Sequence, residues 1–155
     1  MNLFYKSKFF NLVLFTLILL WCIGIIWEVV IHFFPNTIIA LPFLKYNYSL
    51  VCHREPDKLL KIGHYTTLVC SRCSGIYFGA LISSFILLFA KLKKVSTKVM
   101  LLSSVPMFID VILHTLGVYT YSKPIALFTG LLLGSVGFIY IHDALKIILV
   151  KQIKE

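Results

Sequence analysis

Three cysteines and a histidine lie in one polar stretch of an otherwise apolar chain. Cys70 and Cys73 form a C-x-x-C pair, and the adjacent Cys52 and His53 lie 17 or 18 residues upstream. Three thiols and one imidazole are the donor set of a tetrahedral Cys₃His zinc site. Because the C-x-x-C spacing lets two sulfurs reach one ion from a single turn, we expect Cys52, His53, Cys70 and Cys73 to bind a metal ion, with zinc as the first candidate.

A disulfide is an alternative for the same cysteines. If the polar stretch faces outward, it lies in an oxidising compartment. Cys70 and Cys73 would then close a small ring that is either structural or redox-active. Plain buried thiols are a third alternative, and the spacing alone leaves all three open. Cys22, in the middle of the first apolar segment, is expected to be a small core residue.

Two pairs of ionisable residues lie within or beside apolar segments, where charged groups are costly and therefore indicate function. Asp110 and His114 are four residues apart and share a helix face, and Glu28 and His32 have the same spacing. We expect one outward-facing polar pocket, with Asp110 or His114 as a general base. The alternatives are an ion pair of Glu28 with a loop lysine or Arg72, an interfacial position for His32, and structural pairing of Asp110 with His114. His142, at the far end of the fourth segment, is expected to be solvated.

Arginines accompany both cysteine motifs. Arg54 directly follows His53, and Arg72 lies between Cys70 and Cys73. A guanidinium group can bind phosphate or carboxylate through two parallel hydrogen bonds. We therefore expect Arg72, with Arg54 as a second candidate, to bind an anionic group of a lipid or lipid-linked substrate.

The composition is that of a membrane protein. The 155 residues are 59% hydrophobic and 14% charged, against roughly half and about a quarter in soluble domains. The mean hydropathy is +0.93. The net charge of +9 lies mostly at the ends of apolar segments, where it indicates topology and contact with anionic membrane lipids. No basic patch is interleaved with aromatic residues, so we expect no nucleic-acid partner.

Four apolar segments are long enough to cross a bilayer, which takes about 20 residues. Since a backbone in lipid must satisfy its own hydrogen bonds, we predict an all-α, integral membrane four-helix bundle. The first segment is too long for a signal peptide and lacks a cleavage site, so we expect it to be retained. We expect a single domain over 1–155, with helices at about 9–34, 73–90, 99–119 and 124–143 and an outer loop at about 35–72.

Lysines and arginines predict the orientation in the membrane. Nine of them lie on the side of the four segments where both termini and the turn at 91–98 are expected. The other six lie on the opposite side. The positive-inside rule then places both termini in the cytoplasm and the cysteine-containing loop outside. Small-x-x-x-small patterns at Gly75 and Gly79 and at Gly130 and Gly134 predict close helix packing.

The cysteine motifs belong to a longer pattern. It comprises C-H-R at 52–54, C-S-R-C-S-G-I-Y-F-G at 70–79, and then Pro106, Ile109-Asp110 and Thr129-Gly130 with Gly134. This pattern resembles a family of small prokaryotic membrane proteins that is catalogued as domain of unknown function 2085. The resemblance covers about 51–134 and implies that the cysteine motifs, Arg72 and Asp110 form one set. It implies no activity.

Four functional hypotheses follow. The first is a membrane protein with an outward-facing metal site, which is closed and structural if four residues bind the ion. The second is a metal-dependent hydrolase of a lipid or lipid-linked substrate, which needs an open coordination position. The third is a thiol-disulfide oxidoreductase in which Cys70 and Cys73 exchange and Cys52 resolves. A metal or proton carrier ranks last, because the inner halves of the helices hold few polar groups.

Overall fold

The computed structural model describes residues 2–90 and 94–152, with side chains for 8–90 and 94–147. Lys91, Lys93 and Lys154, three of the lysines behind the expected orientation, lie outside the described residues. Within this part of the chain, most residues are helical. The elements are α1 (Asn2–Ile25), α2 (Trp27–Phe33), a 3₁₀ turn (Pro35–Ala40), α3 (Leu41–Ser49), a second 3₁₀ turn (Pro56–Lys58), β1 (Leu59–Ile62), β2 (Tyr65–Cys70), α4 (Ser71–Phe89), α5 (Thr97–Thr115) and α6 (Lys123–Gln152).

Four of these helices are long and apolar enough to cross a membrane, as the sequence predicts. The apolar spans are Lys8–Ile25, Ser71–Phe89, Thr97–Thr115 and Lys123–Ile147. Many of their large apolar side chains, among them Leu17, Phe85 and Phe128, are exposed. An exposed apolar surface on long helices suits a lipid environment, in which the backbone is satisfied within each helix.

The first predicted helix, 9–34, is interrupted in the structure. α1 ends at Ile25 and α2 begins at Trp27. The Tyr48 hydroxyl donates a hydrogen bond to the Trp21 carbonyl at 2.6 Å, and Gly24 leaves room for that hydroxyl. At the break the Ile26 amide donates to the Ile23 carbonyl at 3.2 Å, three residues back instead of four, so the irregular turn lies beside the contact with α3.

The all-α prediction is wrong in one respect, because the polar stretch contains an antiparallel β-hairpin. β1 pairs with β2 through Leu59 with Cys70 and Ile62 with Tyr65. The two-residue turn between the strands begins at Gly63, whose φ is +63°, as the first central position of a type II′ turn requires. The predicted loop at 35–72 is therefore largely built from regular elements, and β2 leads directly into α4.

Glycines bring α4 and α6 into close contact, as the small-residue patterns predict. A Cβ atom on Gly75 or Gly79 would collide with backbone atoms of α6, and one on Gly130 or Gly134 would collide with backbone atoms of α4. The Ser83 hydroxyl adds a hydrogen bond to the Ser135 carbonyl at 3.1 Å. α1 packs on α4, and α5 packs on α6. The start of α6 is thereby held beside the start of α4, at what we call the loop end of the bundle, where β2 enters α4 and α5 connects to α6.

The prediction that His142 is solvated is wrong. His142 is 1% exposed, and its Nε2 lies 2.9 Å from Oδ1 of Asn11. The amide of Asn11 in turn donates to the Leu87 carbonyl at 3.0 Å. The histidine contacts Asn11 and Phe10 of α1, and these side-chain contacts bury it although the sequence places it near the end of an apolar span.

Candidate metal centre

The sulfurs of three cysteines meet at the loop end. The thiols of Cys52, Cys70 and Cys73 lie within 4.8 Å of one another. β2 ends at Cys70, and Cys73 follows in the first turn of α4. The backbone amide of Cys70 donates to the sulfur of Cys52 at 3.3 Å. The structure thus brings two separate segments of the polar stretch together at one helix start.

The packing of α3 fixes the position of Cys52. The backbone amide of Cys52 donates to the Tyr48 carbonyl at 3.0 Å. Tyr48 is itself buried in an apolar cluster with Ile25, Leu68 and Val69. Because this cluster joins α1, α3 and β2, it holds Cys52 against the strand that delivers Cys70.

The start of α4 favours a thiolate at Cys70. A hydrogen bond from the Cys73 thiol lowers the pKa of Cys70 well below its ordinary value, and the backbone amides of Cys73 and Arg72 act in the same direction against the effect of burial. The thiolate is the form of cysteine that binds metal ions. None of the chain's four cysteines is cross-linked in the structure, so the three sulfurs at this site are available as ligands.

His53, the expected fourth ligand, does not join the three sulfurs. Its side chain is exposed, and within the described residues the cluster of ligand atoms contains only the three thiols. Cys52 is buried while the adjacent His53 is exposed, so the two neighbouring side chains lie in different surroundings. Its role as a ligand stays a prediction.

Asp110, one of the two predicted catalytic residues, is paired with Arg72. Asp110 is 4% exposed, and one carboxylate oxygen accepts a hydrogen bond from Nη2 of Arg72. The other oxygen accepts from the hydroxyl of Tyr119, and this bond raises the pKa of Tyr119. Since Arg72 lies between Cys70 and Cys73, the ion pair connects the thiol site to α5.

His114, the other predicted catalytic residue, lies next to Tyr121. Their ring centroids are 5.4 Å apart. The Tyr121 ring also lies 5.8 Å from Cζ of Arg72 and 5.7 Å from Nζ of Lys58. Sequence reasoning missed Lys58, Tyr119 and Tyr121. The available sequence signal for the two tyrosines was their position in the short connection directly before α6. Tyrosines near the ends of membrane helices are common, so this signal was not specific.

Glu28 and His32 belong to a different part of the structure from Asp110 and His114. Oε2 of Glu28 accepts hydrogen bonds from the amide and hydroxyl of Thr66 at 3.0 and 2.8 Å, and Lys45 lies 3.6 Å from its other oxygen. Nδ1 of His32 lies 2.7 Å from the Tyr65 hydroxyl. These contacts attach the β-hairpin to α2. The sequence led us to expect a single pocket, but the structure contains two separate groups of contacts, one between α2 and the hairpin and one around Arg72 and Asp110.

The fold and this site define a class: a small membrane protein with four apolar helices and three thiols gathered at one end. The chain belongs to the family described as "Predicted membrane protein (DUF2085)", whose model matches residues 52–140. The matched region includes the three cysteines, Arg72 and Asp110, and it confirms the resemblance seen in the sequence.

Two archaeal relatives are similar to the chain, and both are uncharacterized. A protein of Methanocaldococcus jannaschii is 31% identical over 98 residues, which are 61% of this chain and 63% of the relative. A protein of Methanothermobacter thermautotrophicus is 32% identical over 102 residues, which are 64% of this chain and 90% of the relative. The chain therefore spans less than two thirds of the first relative. No solved structure matches it.

Proposed function

We propose that this membrane protein binds a metal ion, with zinc as the first candidate, through the thiolates of Cys52, Cys70 and Cys73. The observation that supports this proposal is the meeting of the three sulfurs within 4.8 Å at the start of α4. With Zn–S bonds of about 2.3 Å, the sulfurs of a tetrahedral site are about 3.8 Å apart. A small contraction of the observed cluster would therefore give a zinc site.

The fourth coordination position distinguishes two versions of this site. If the exposed His53 turns inward, four residues bind the ion, and the site is closed and structural. It would then attach the segment after α3 to the start of α4. If His53 stays in solvent, three thiolates leave one position open for an exchangeable ligand.

The open version supports a second candidate function, a metal-dependent hydrolase of a lipid or lipid-linked substrate. The observation that favours it is the position of Arg72, which lies between two of the thiols and carries a guanidinium suited to a phosphate or carboxylate. Arg54, whose Nε is buried and has no hydrogen-bond partner among the described residues, stays a second candidate for that role. His114 is the freer of the two predicted bases, because both carboxylate oxygens of Asp110 are engaged.

The outward orientation of the site is part of the proposal. It rests on the nine cations at the end with the termini and the six at the loop end, through the positive-inside rule. In that orientation a lipid substrate would approach from the outer leaflet.

Elemental analysis of protein purified in detergent without chelator tests the metal site, with free thiols counted on the same sample. We expect about one zinc per chain in the native protein and its loss in Cys70→Ser. The matched control is Cys22→Ser, because Cys22 is a buried thiol whose sulfur lies 3.5 Å from the Tyr77 carbonyl of α4. Retention of zinc in His53→Ala would indicate an open site, and its loss would indicate a closed one.

The opposite result would favour the thiol-disulfide oxidoreductase. In that case the protein carries no metal, only two thiols react under denaturing conditions, and reduction releases the other two. The metal proposal would then be wrong, and Cys70 and Cys73 would become the exchanging pair.

A further inference from the structure

Three ionisable residues from separate parts of the chain surround one tyrosine ring at the loop end. Lys58 ends the second 3₁₀ turn, Arg72 lies in the first turn of α4, and His114 lies in the last turn of α5. All three approach the ring of Tyr121, which precedes α6, at distances between 5.4 and 5.8 Å. We call these four residues the Tyr121 cluster.

Among the residues that the structure describes, the cluster contains buried hydrogen-bonding atoms without a partner. Nε of Arg72 and Nδ1 of His114 are buried and make no hydrogen bond within the described residues. The buried Tyr121 hydroxyl makes none of good geometry there either, although the Ser71 side chain lies within its reach. Buried polar atoms in proteins are almost always hydrogen-bonded, because an unmade bond costs stability. Three such atoms, one each from α4, α5 and the connection before α6, indicate a ligand that accepts hydrogen bonds.

The surrounding contacts hold the two cations in place without using all of their donors. Asp110 accepts from Nη2 of Arg72, which leaves Nε without a partner in the described part of the chain. The Ser71 hydroxyl donates to the Lys58 carbonyl at 2.9 Å and ties that turn to α4. The carboxylate partner of Lys58 is Glu55, whose side chain is 55% exposed. An exposed ion pair contributes little, so Lys58 can exchange Glu55 for a ligand at small cost.

We propose that the Tyr121 cluster binds a phosphate group, either on a lipid headgroup or as free phosphate. Lys58 and Arg72 supply positive charge, and Arg72, Tyr121 and His114 in the required tautomer supply hydrogen bonds from several directions. A phosphate group has more acceptor oxygens than a carboxylate and presents them in a tetrahedral arrangement, so it can accept from more of these donors at once. This site goes beyond the thiol centre and requires no metal ion.

Binding measurements on the purified protein in phosphate-free detergent buffer test the proposal. The probes are inorganic phosphate and a short-chain phosphatidic acid, with the corresponding phosphatidylcholine as a lipid control. The variants are Tyr121→Phe, which removes only the hydroxyl, and Lys58→Gln. Lys61→Gln is the matched control, because Lys61 lies in the adjacent strand and is exposed. Zinc content is measured on every sample.

We expect the native protein to bind at least one phosphate probe, and Lys58→Gln to weaken that binding about tenfold. Tyr121→Phe should weaken it several-fold, and Lys61→Gln should leave it nearly unchanged. Preference for phosphatidic acid would identify a lipid headgroup, and equal or better binding of inorganic phosphate would identify free phosphate. The proposal is wrong if neither probe binds, or if Lys61→Gln weakens binding as much as Lys58→Gln does. Because zinc is measured separately, loss of the metal site alone would not affect this conclusion.

Discussion

The ion pair between Arg72 and Asp110 is the contact whose removal should cost most at the loop end. The side chain of Asp110 is 2% exposed and that of Arg72 is 18% exposed. Arg72→Gln leaves the carboxylate buried with only the Tyr119 hydroxyl as a partner. Asp110→Asn leaves the guanidinium without a counter-charge. Removing one partner of a buried pair costs about 3 to 5 kcal/mol, and we expect the lower end because Tyr119 remains and Arg72 is partly exposed.

The double variant Arg72→Gln/Asp110→Asn measures the interaction energy between the two residues separately from the contacts that each makes with its surroundings. It leaves two neutral amides that can hydrogen-bond to each other, so it should be more stable than the sum of the single effects predicts. We expect a coupling energy of about 2 kcal/mol, within the range for residues in contact. The assay is reversible unfolding in mixed micelles, followed by circular dichroism at increasing fractions of denaturing detergent.

Lys58→Gln provides the reference for a surface pair. Its partner Glu55 is more than half exposed, so this substitution should change stability by less than about 1 kcal/mol. If the Arg72 and Asp110 variants behave like Lys58→Gln, or if their effects add without coupling, the reasoning that Asp110 anchors Arg72 is refuted.

Three further predictions concern helix packing, acid stability and orientation. Gly134→Ala should lower the unfolding free energy by about 1 to 3 kcal/mol, because its Cβ collides with the backbone of α4; Gly137→Ala, with open space around it, should be neutral or slightly stabilising. Burial raises the pKa of Glu28, but hydrogen bonds from β2 and a nearby lysine lower this pKa overall. Glu28 therefore stabilises the fold above its unfolded pKa, and this contribution is lost as pH falls through the folded value. An acid titration of melting temperature should show a shallower decline in Glu28→Gln than in the native protein, and identical curves would contradict this assignment. In intact cells, a membrane-impermeant maleimide should label Lys61→Cys more than the native protein and Ser96→Cys no more than the native protein, since both introduced cysteines replace exposed residues; the reverse pattern would invert the proposed topology.

The sequence was sufficient for the four apolar helices. A span needs a long apolar run, and a bilayer requires that its backbone be satisfied locally. The break at Ile26 could not be predicted in the same way, because it lies where the Tyr48 hydroxyl of another helix contacts α1. The β-hairpin was missed because its strands are four and six residues long. Its local signal, Gly63 between two strand-like runs, was nevertheless present.

The sequence also did not determine which helix faces are buried near the ends of the apolar spans. His142 has the polar character of a terminal residue, and yet it is buried against Asn11. Which face of α6 meets α1 is decided by the close packing of α4 on α6, and that packing depends on glycine contacts across the two helices. The small-residue patterns indicated that such contacts exist but not how they rotate α6.

In the candidate site, too, local spacing predicted some contacts and only the fold decided others. The meeting of Cys70 and Cys73 was determined by local spacing, and residue type alone suggested Cys52 as their partner. His53 and Cys52 are adjacent in the sequence, but the fold separates their side chains and leaves His53 in solvent. Only the tertiary structure could show this, because it depends on the direction in which the segment after α3 approaches α4.

The ionisable pairs show most clearly what the sequence determined and what the fold decided. Two pairs have the same spacing of four residues, Glu28 with His32 and Asp110 with His114. Helix periodicity correctly placed the members of each pair on one helix face. Their neighbours differ, because the hairpin packs on α2, whereas α6 packs on α5 and Arg72 of α4 reaches Asp110. One pair consequently anchors a strand, and the other meets Arg72 and Tyr121. Residue types and local periods thus determined which groups were available, and contacts between distant segments decided which of them form a site.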